Sequence, residues 1–213
     1  FDSANNPAPA GILTWSHGFG TGTIDSNGLF TPVGVGTGTI HVTSSLYGIS
    51  DTTGSMYVRA GAPIEITVSP DTLTMIAGDS QLFLASGIDK NSNAVTDLGT
   101  LTWELVGDIG TLDSTGILSA THAGFGIISA HSSLGLNDVS DTIRVVPGSL
   151  VTLDVLPPTN VVPTLQTYQY AALGYDAFSN FIADFTDSVT WSTTDLVGSI
   201  NSTGLYTAGL IGT

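Results

Sequence analysis

The sequence predicts an all-β protein in which one sandwich blueprint is copied in tandem. Three observations carry that prediction. An eleven-residue hairpin motif occurs three times, as GTIDSNGLFTP (22–32), GTLDSTGILSA (110–120) and GSINSTGLYTA (198–208). The tryptophans Trp15, Trp103 and Trp191 are spaced by 88 and 88 residues. The composition holds 26 Gly and abundant Ser and Thr but only three Lys and Arg, so helix surfaces would lack their usual Lys, Glu and Arg.

The elements follow in order through one complete unit, placed at 62–148. IEITVS (64–69) alternates apolar and polar residues, as a half-buried strand does. AGD (77–79) punctuates, and QLFLASGI (81–88) resumes as a strand. TLTWEL (100–105) sets Leu101 and Trp103 on one face, a pairing repeated by Leu13 with Trp15 and by Val189 with Trp191. The hairpin comes next, followed by GIISAHS (126–132), which presents Ile128 and Ala130 where the first copy has Ile40 and Val42. IRVV (143–146) closes the unit with Ile143 and Val145 on one side. About seven short strands in roughly 88 residues, with frequent turns, predict a Greek-key β-sandwich.

Residues 1–61 then form a partial unit without its first strands, and 149–213 one without its last. GIDKNSNAVTD (87–97) aligns with GYDAFSNFIAD (174–184) at an offset of 87, so one residue is gained near 186–188, where a loop is expected. The short linker VPGSLV (146–151) leaves little slack between units. In each hairpin an Asx stands first in the turn and a glycine last, at Gly28, Gly116 and Gly204. The Asx side chain accepts from backbone two residues on, and glycine takes the positive φ of a type I turn followed by a bulge. Ile24 and Leu29, with their counterparts, are expected to pack inward. The three indoles are expected as core residues between sheets.

This pattern resembles the bacterial immunoglobulin-like repeats, especially the group 2 type, with features of invasin- and intimin-like surface repeats. The residues that carry it are the VSP-like first strand, AGDSQLFLASGIDKNSNAV, LTW, GTLDSTGILSA, Gly124 and IRVV. The resemblance covers essentially the whole chain and implies tandem Ig-like sandwiches in extracellular stalks, envelope proteins or filaments. One departure is Ser92, which stands where the family's D-x-x-G-N pattern has glycine.

Composition narrows function by exclusion. The net charge of −15 argues against nucleic acid and anionic lipid as partners, since both need clustered Lys or Arg. With no cysteine there is no disulfide framework and no thiolate metal site. No stretch is long and apolar enough to cross a membrane as a helix. The chain opens with Phe1 and its ends cut across units, so a processed protein or an excerpt of a longer array is expected.

Asp89, Asn91, Asn93 and Asp97 are laid out like the start of a calcium loop, but Ala94 replaces the turn glycine and Thr100 stands where a bidentate Glu belongs. Asp89, Asn93 and Asp97 recur as Asp176, Asn180 and Asp184, whereas Phe178 replaces Asn91. An Asx-stabilised loop accounts for the same recurrence, so no cofactor is predicted and calcium is the lesser alternative. His17, His41, His122 and His131 do not recur in phase and are expected at or near the surface. Asn201 opens a glycosylation sequon that the other two hairpins lack. No nucleophile or paired-carboxylate constellation stands out, and no enzyme is predicted.

The leading expectation is a structural repeat of a prokaryotic surface protein whose partners are neighbouring Ig-like units. The alternatives are an adhesin segment recognising a surface protein or glycan through end loops, with Phe178 and Phe181 as exposed contacts, and an ancillary domain of a secreted hydrolase.

Overall fold

In the computed structural model, which describes residues 4–7, 9, 11–194 and 196–210, every regular element is a strand. The chain is all-β and built of small, mainly antiparallel sheets. No sheet closes into a clear sandwich. Two compact units are present: Phe1–Thr67, Ala85–Leu101 and His131–Asn137 form one, and Val68–Leu84, Thr102–Ala130 and Asp138–Thr213 the other.

In the first unit, Leu13–His17 pairs with Ile40–Ser44, setting Trp15 opposite Val42, and Ser50–Thr52 adds to the far edge. Gly22–Ile24 pairs with Phe30–Pro32, and Gly36–Gly38 with Met56–Val58. Phe19 and Ile40 are buried here, and the Phe19 ring stacks on Phe30 with centroids 4.7 Å apart. Ile66 is buried as the alternation of IEITVS predicts.

The second unit holds most of the core. Phe83, Ile109, Leu118, Ile128, Ile143 and Val68 are its fully buried large side chains. Ile128 and Ala130 are buried, and so are Ile143 and Val145 with Arg144 turned outward, as their alternation dictates. Ile143–Val146 runs parallel to Leu73–Ile76. That last strand has no clear signal in the sequence, because its four residues are too few for alternation to stand out. Farther along, Ala171–Tyr175 lies between Thr152–Leu156 and Phe181–Asp184, and Leu205–Thr207 between Thr167–Gln169 and Ser199–Ile200.

The three hairpins fold alike. Asp25 Oδ1 accepts from the backbone N–H of Asn27 and Leu29, Asp113 Oδ1 from Thr115 and Ile117, and Asn201 Oδ1 from Thr203 and Leu205. Gly28, Gly116 and Gly204 take φ of 85°, 89° and 77°. Each also supports an indole. A Cβ on Gly116 would lie 3.0 Å from Trp103 and 2.6 Å from the Phe83 carbonyl; at Gly28 and Gly204 it would lie 2.8 Å and 3.0 Å from Trp15 and Trp191.

Three expectations are corrected. The indoles are half-buried and lie on the hairpin glycines; they are not central core residues. Leu29 and Ile117 point outward, at 67% and 37% exposure, because the residue in the turn bulge shifts the alternation by one. The inward partners are Phe30, Leu118 and Tyr206, paired with Ile24, Leu112 and Ile200. Trp191 stands on no strand. Trp15 and Trp103 lie on strands paired with Ile40–Ser44 and Gly124–Ser132. The residue gained at 186–188 lies in a turn, as expected.

Gly116→Val tests the hairpin. The left-handed backbone strain alone costs roughly 1–2 kcal/mol, and the clash with Trp103 adds to it. The expected result is a lower melting temperature with altered Trp fluorescence; unchanged melting would overturn the turn and indole contact together.

Candidate functional site

The loop read as a calcium-like segment is where the structure concentrates its polar chemistry. Asp89 is 3% exposed and Asp176 is 4% exposed, yet no Lys, Arg or His forms an ion pair with either among the described residues. Burying an unpaired carboxylate is costly unless donors surround it. Here they do. Asp89 Oδ1 accepts from the backbone N–H of Asn91 and Asn93, both at 2.9 Å, which closes its own loop. Its Oδ2 accepts from Gly61 N–H at 2.8 Å, 28 residues earlier, and from the Asn93 amide at 3.0 Å.

Asn93 then reaches farther. Its Nδ2 donates to the Val33 carbonyl at 2.8 Å, and its Oδ1 accepts from Val35 N–H at 3.2 Å. Gly61 ends the stretch that follows the first hairpin, while Val33 and Val35 stand just past that hairpin's second strand. One buried Asp–Asn pair therefore ties its loop to the linker and to the preceding repeat.

The same interlock recurs in the second unit. Asp176 Oδ1 accepts from Phe178 and Asn180 N–H at 2.9 and 2.8 Å. Its Oδ2 accepts from Gly148 N–H at 2.7 Å and from the Asn180 amide at 2.8 Å. Asn180 Nδ2 donates to the Thr121 carbonyl at 2.8 Å, and its Oδ1 accepts from Ala123 N–H at 2.7 Å. The Asp, Asn and linker Gly positions repeat at an offset of 87, and the receiving backbone positions at 88. The Phe178 ring, 40% exposed, lies over Gly78, 3.3 Å from where a Cβ would stand.

Loop shape explains Ser92. It takes φ of 62° and its counterpart Ser179 takes 65°, so each occupies the left-handed conformation that glycine would supply. The loop closes without the glycine, at a cost in backbone strain.

Of the calcium-like set, only Asp89 and Asn93 share this site. The Asn91 backbone caps the loop, and Asp97 turns to the backbone N–H of Gly99 at 3.0 Å. N–H groups point at the Asp89 carboxylate, where a cation would need bare lone pairs. Among the described residues no cluster of three His, Cys, Asp or Glu could hold a metal. His17 and His41 are half-buried, and His122 and His131 are exposed. His41 bonds Thr52 at 2.8 Å, and His122 lies 3.5 Å from Asp108. Phe181 is 52% exposed and meets Tyr175 edge-on at 5.9 Å. Asn201 is exposed and caps its hairpin.

Electrostatics follows from the donors. The Gly61 N–H, then the Asn93 amide, hold the Asp89 carboxyl well below the usual carboxylate range. For Asp176, burial pushes the pKa up, but hydrogen bonds from the Asn180 amide, Gly148, Asn180 and Phe178 outweigh it and bring the value down to about 2.

No family model matches the chain. Over 193 residues it is 26% identical to Ice-binding protein 1 of Shewanella frigidimarina, a match covering 89% of this chain and 21% of that protein. The chain thus spans about a fifth of the length of that curated relative. Among solved structures, invasin, a bacterial integrin-binding protein, is similar at 14% identity and a TM-score of 0.44, over 99% of this chain and 49% of invasin. Domains 4–9 of the surface-layer protein SbsC are similar at 16% identity and a TM-score of 0.35, over 94% of this chain and 35% of that one.

Two outcomes test the site. A carboxylate whose folded pKa is depressed adds stability that is complete above its unfolded value of about 3.9 and drains away as pH falls through the folded value. The Gly148 amide is therefore expected to stay protected from hydrogen exchange down to about pH 4 and to lose protection toward pH 2; loss already at pH 6 would refute the assignment. Replacing both strained serines, Ser92→Gly with Ser179→Gly, relieves roughly 1 kcal/mol each and returns about half through unfolded-chain entropy. A net gain near 1 kcal/mol in denaturant unfolding is expected, and destabilisation would contradict the loop geometry.

Proposed function

We propose that the chain is a run of Ig-like repeats from an extracellular prokaryotic surface protein, a non-enzymatic spacer that fixes the separation and orientation of whatever it joins. Its repeats are Greek-key sandwiches of the group 2 bacterial type, with boundaries at 1–61, 62–148 and 149–213. The observation that supports this is the interlock, which uses the same residue types in the same phase at both linkers.

A flexible array needs no such device. A chain of compact units on slack linkers samples many separations, and each linker residue left free retains backbone entropy that ordering must overcome. Here the linker glycine is held by a buried carboxylate, and the loop amide grips backbone on the preceding repeat. Several mutually oriented hydrogen bonds resist bending better than one hydrophobic contact, because each fails when its geometry changes. The acidic surface and the scarcity of Lys and Arg suit exposure outside a cell, where trypsin-like proteases would find few cleavage points.

The match to a fifth of a longer bacterial protein accords with a segment that carries other domains. A ligand-binding role through Phe178 and Phe181 is the lesser reading, since the Phe178 ring already lies on Gly78.

The test is mechanical and local. In the double variant Asp89→Ala, Asn93→Ala, the Gly61 and Val35 amides are expected to exchange at least tenfold faster while circular dichroism is unchanged. Dye pairs placed on either side of the linker at 61 should show a broader distribution of separations than the parent chain. On intact cells expressing the parent protein, antibodies against this segment are expected to bind without permeabilisation. Protected amides in the double variant would sink the spacer reading, and a requirement for permeabilisation would sink the surface location.

A further inference from the structure

The cavity beside the first interlock holds positive charge that the interlock does not use. Arg59, Lys90 and Asn91 line this cavity of about 570 Å³, with Pro32, Val33 and Ile64 among its apolar walls. All six belong to the first compact unit. The whole chain carries three Lys and Arg against 18 Asp and Glu. Two of the three cations therefore line one cavity.

Neither cation is neutralised within the protein. Arg59 and Lys90 are exposed, and among the described residues neither forms an ion pair. The Arg59 guanidinium lies over the Tyr57 ring, 5.8 Å from its centroid, a contact that orients the group and leaves its N–H donors available. Asn91 gives its backbone N–H to Asp89 and is itself exposed. The Asp89 carboxylate also borders the cavity, but its oxygens take N–H donors from Gly61, Asn91 and Asn93.

The two repeats separate what the fold needs from what it does not. At the offset of 87 that carries Asp89 onto Asp176 and Gly61 onto Gly148, Arg59 becomes Val146, Lys90 becomes Ala177 and Asn91 becomes Phe178. The second interlock forms without them. A group needed to hold the linker would recur with the linker, so these three side chains serve something other than the fold.

Their chemistry selects the ligand. Arg presents a planar fork that fits a carboxylate, and Lys a point charge, so the ligand is an anion. A net charge of −15 repels densely charged polymers and favours carboxylates spaced by neutral groups. An extended peptide binds best by pairing with free backbone groups. Here the Gly61 N–H, the Val33 carbonyl and the Val35 N–H are already held by Asp89 and Asn93. What is left is a few polar side chains at one end of an apolar wall, the usual make-up of a small-ligand site. A sugar acid matches it, with a C–H face for the wall and a carboxylate and hydroxyls for the polar end.

We propose that this cavity binds a uronic-acid-bearing glycan, its carboxylates on Arg59 and Lys90, a hydroxyl on Asn91, and its ring against Pro32, Val33 and Ile64. The proposal goes beyond the spacer reading and does not depend on it.

NMR titration of the whole chain tests it, with trimers of galacturonate and of glucuronate as probes. At least one trimer is expected to shift the amides of Val33, Ala62 and Asn91. Its affinity is expected to fall at least tenfold in the double variant Arg59→Gln, Lys90→Gln, and to be unchanged in Arg144→Gln. The methyl ester of the same trimer, which keeps the rings and loses the charge, should bind at least tenfold more weakly. Protection of the Gly61 amide from hydrogen exchange should match the parent in the double variant, which separates lost binding from lost fold. No shift with either trimer, equal affinity for the ester, or affinity unmoved by the double variant would overturn the site. Loss of Gly61 protection would make the cations part of the fold and overturn it too. Equal or tighter binding of a triglutamate peptide would replace the glycan with an acidic peptide.

Discussion

The structure depends on a carboxylate buried without a counter-cation. Asp89 and Asp176 carry full charge in near-complete burial, and only N–H donors from loop, linker and a neighbouring Asn compensate them. Removing water from a charge is tolerable when several donors converge on it, and intolerable when they do not. That asymmetry makes the arrangement close to all-or-none. The linker must be in place for the charge to be satisfied, and once the charge is satisfied the linker is no longer free.

The carboxamide completes what the carboxylate begins. Asn93 and Asn180 donate to the Asp and to a distant carbonyl with one nitrogen, and accept a distant N–H with the oxygen. A side chain with both a donor and an acceptor end can bridge two backbone groups of opposite character, which neither a carboxylate nor an ammonium can do. This explains why Asn holds the position in both complete copies. A second device works within each repeat: the hairpin glycine, which serves turn and indole at once. Its positive φ closes the hairpin, and its missing side chain lets the indole ring lie against the backbone. The two devices share an economy, since both rest on backbone groups that vary little when surface residues change.

The repeat, its offset and its hairpins were legible because side chains write them. Asx and Gly set the turn, Trp sets the phase, and alternation over 64–69 and 143–146 sets the strands. Leu29 and Ile117 were misassigned because the bulge inserts one residue and shifts the inward face, a one-residue effect that hydrophobic pattern resolves poorly. The strand Leu73–Ile76 has no clear signal because it is a four-residue edge strand, too short for its alternation to stand out. The Asp–Asn recurrence was visible, but its meaning was not. Val33, Val35, Thr121 and Ala123 take part through backbone atoms, and their side chains leave no mark of it.

The sequence by itself determined the all-β class, the 87–88 residue period and the hairpin chemistry, because these follow from local preferences and from copying. Only the tertiary structure decided what the recurring Asp and Asn are for. Their partners lie 28 and about 60 residues away, on main-chain groups common to every amino acid, and only folding brings those groups to the carboxylate.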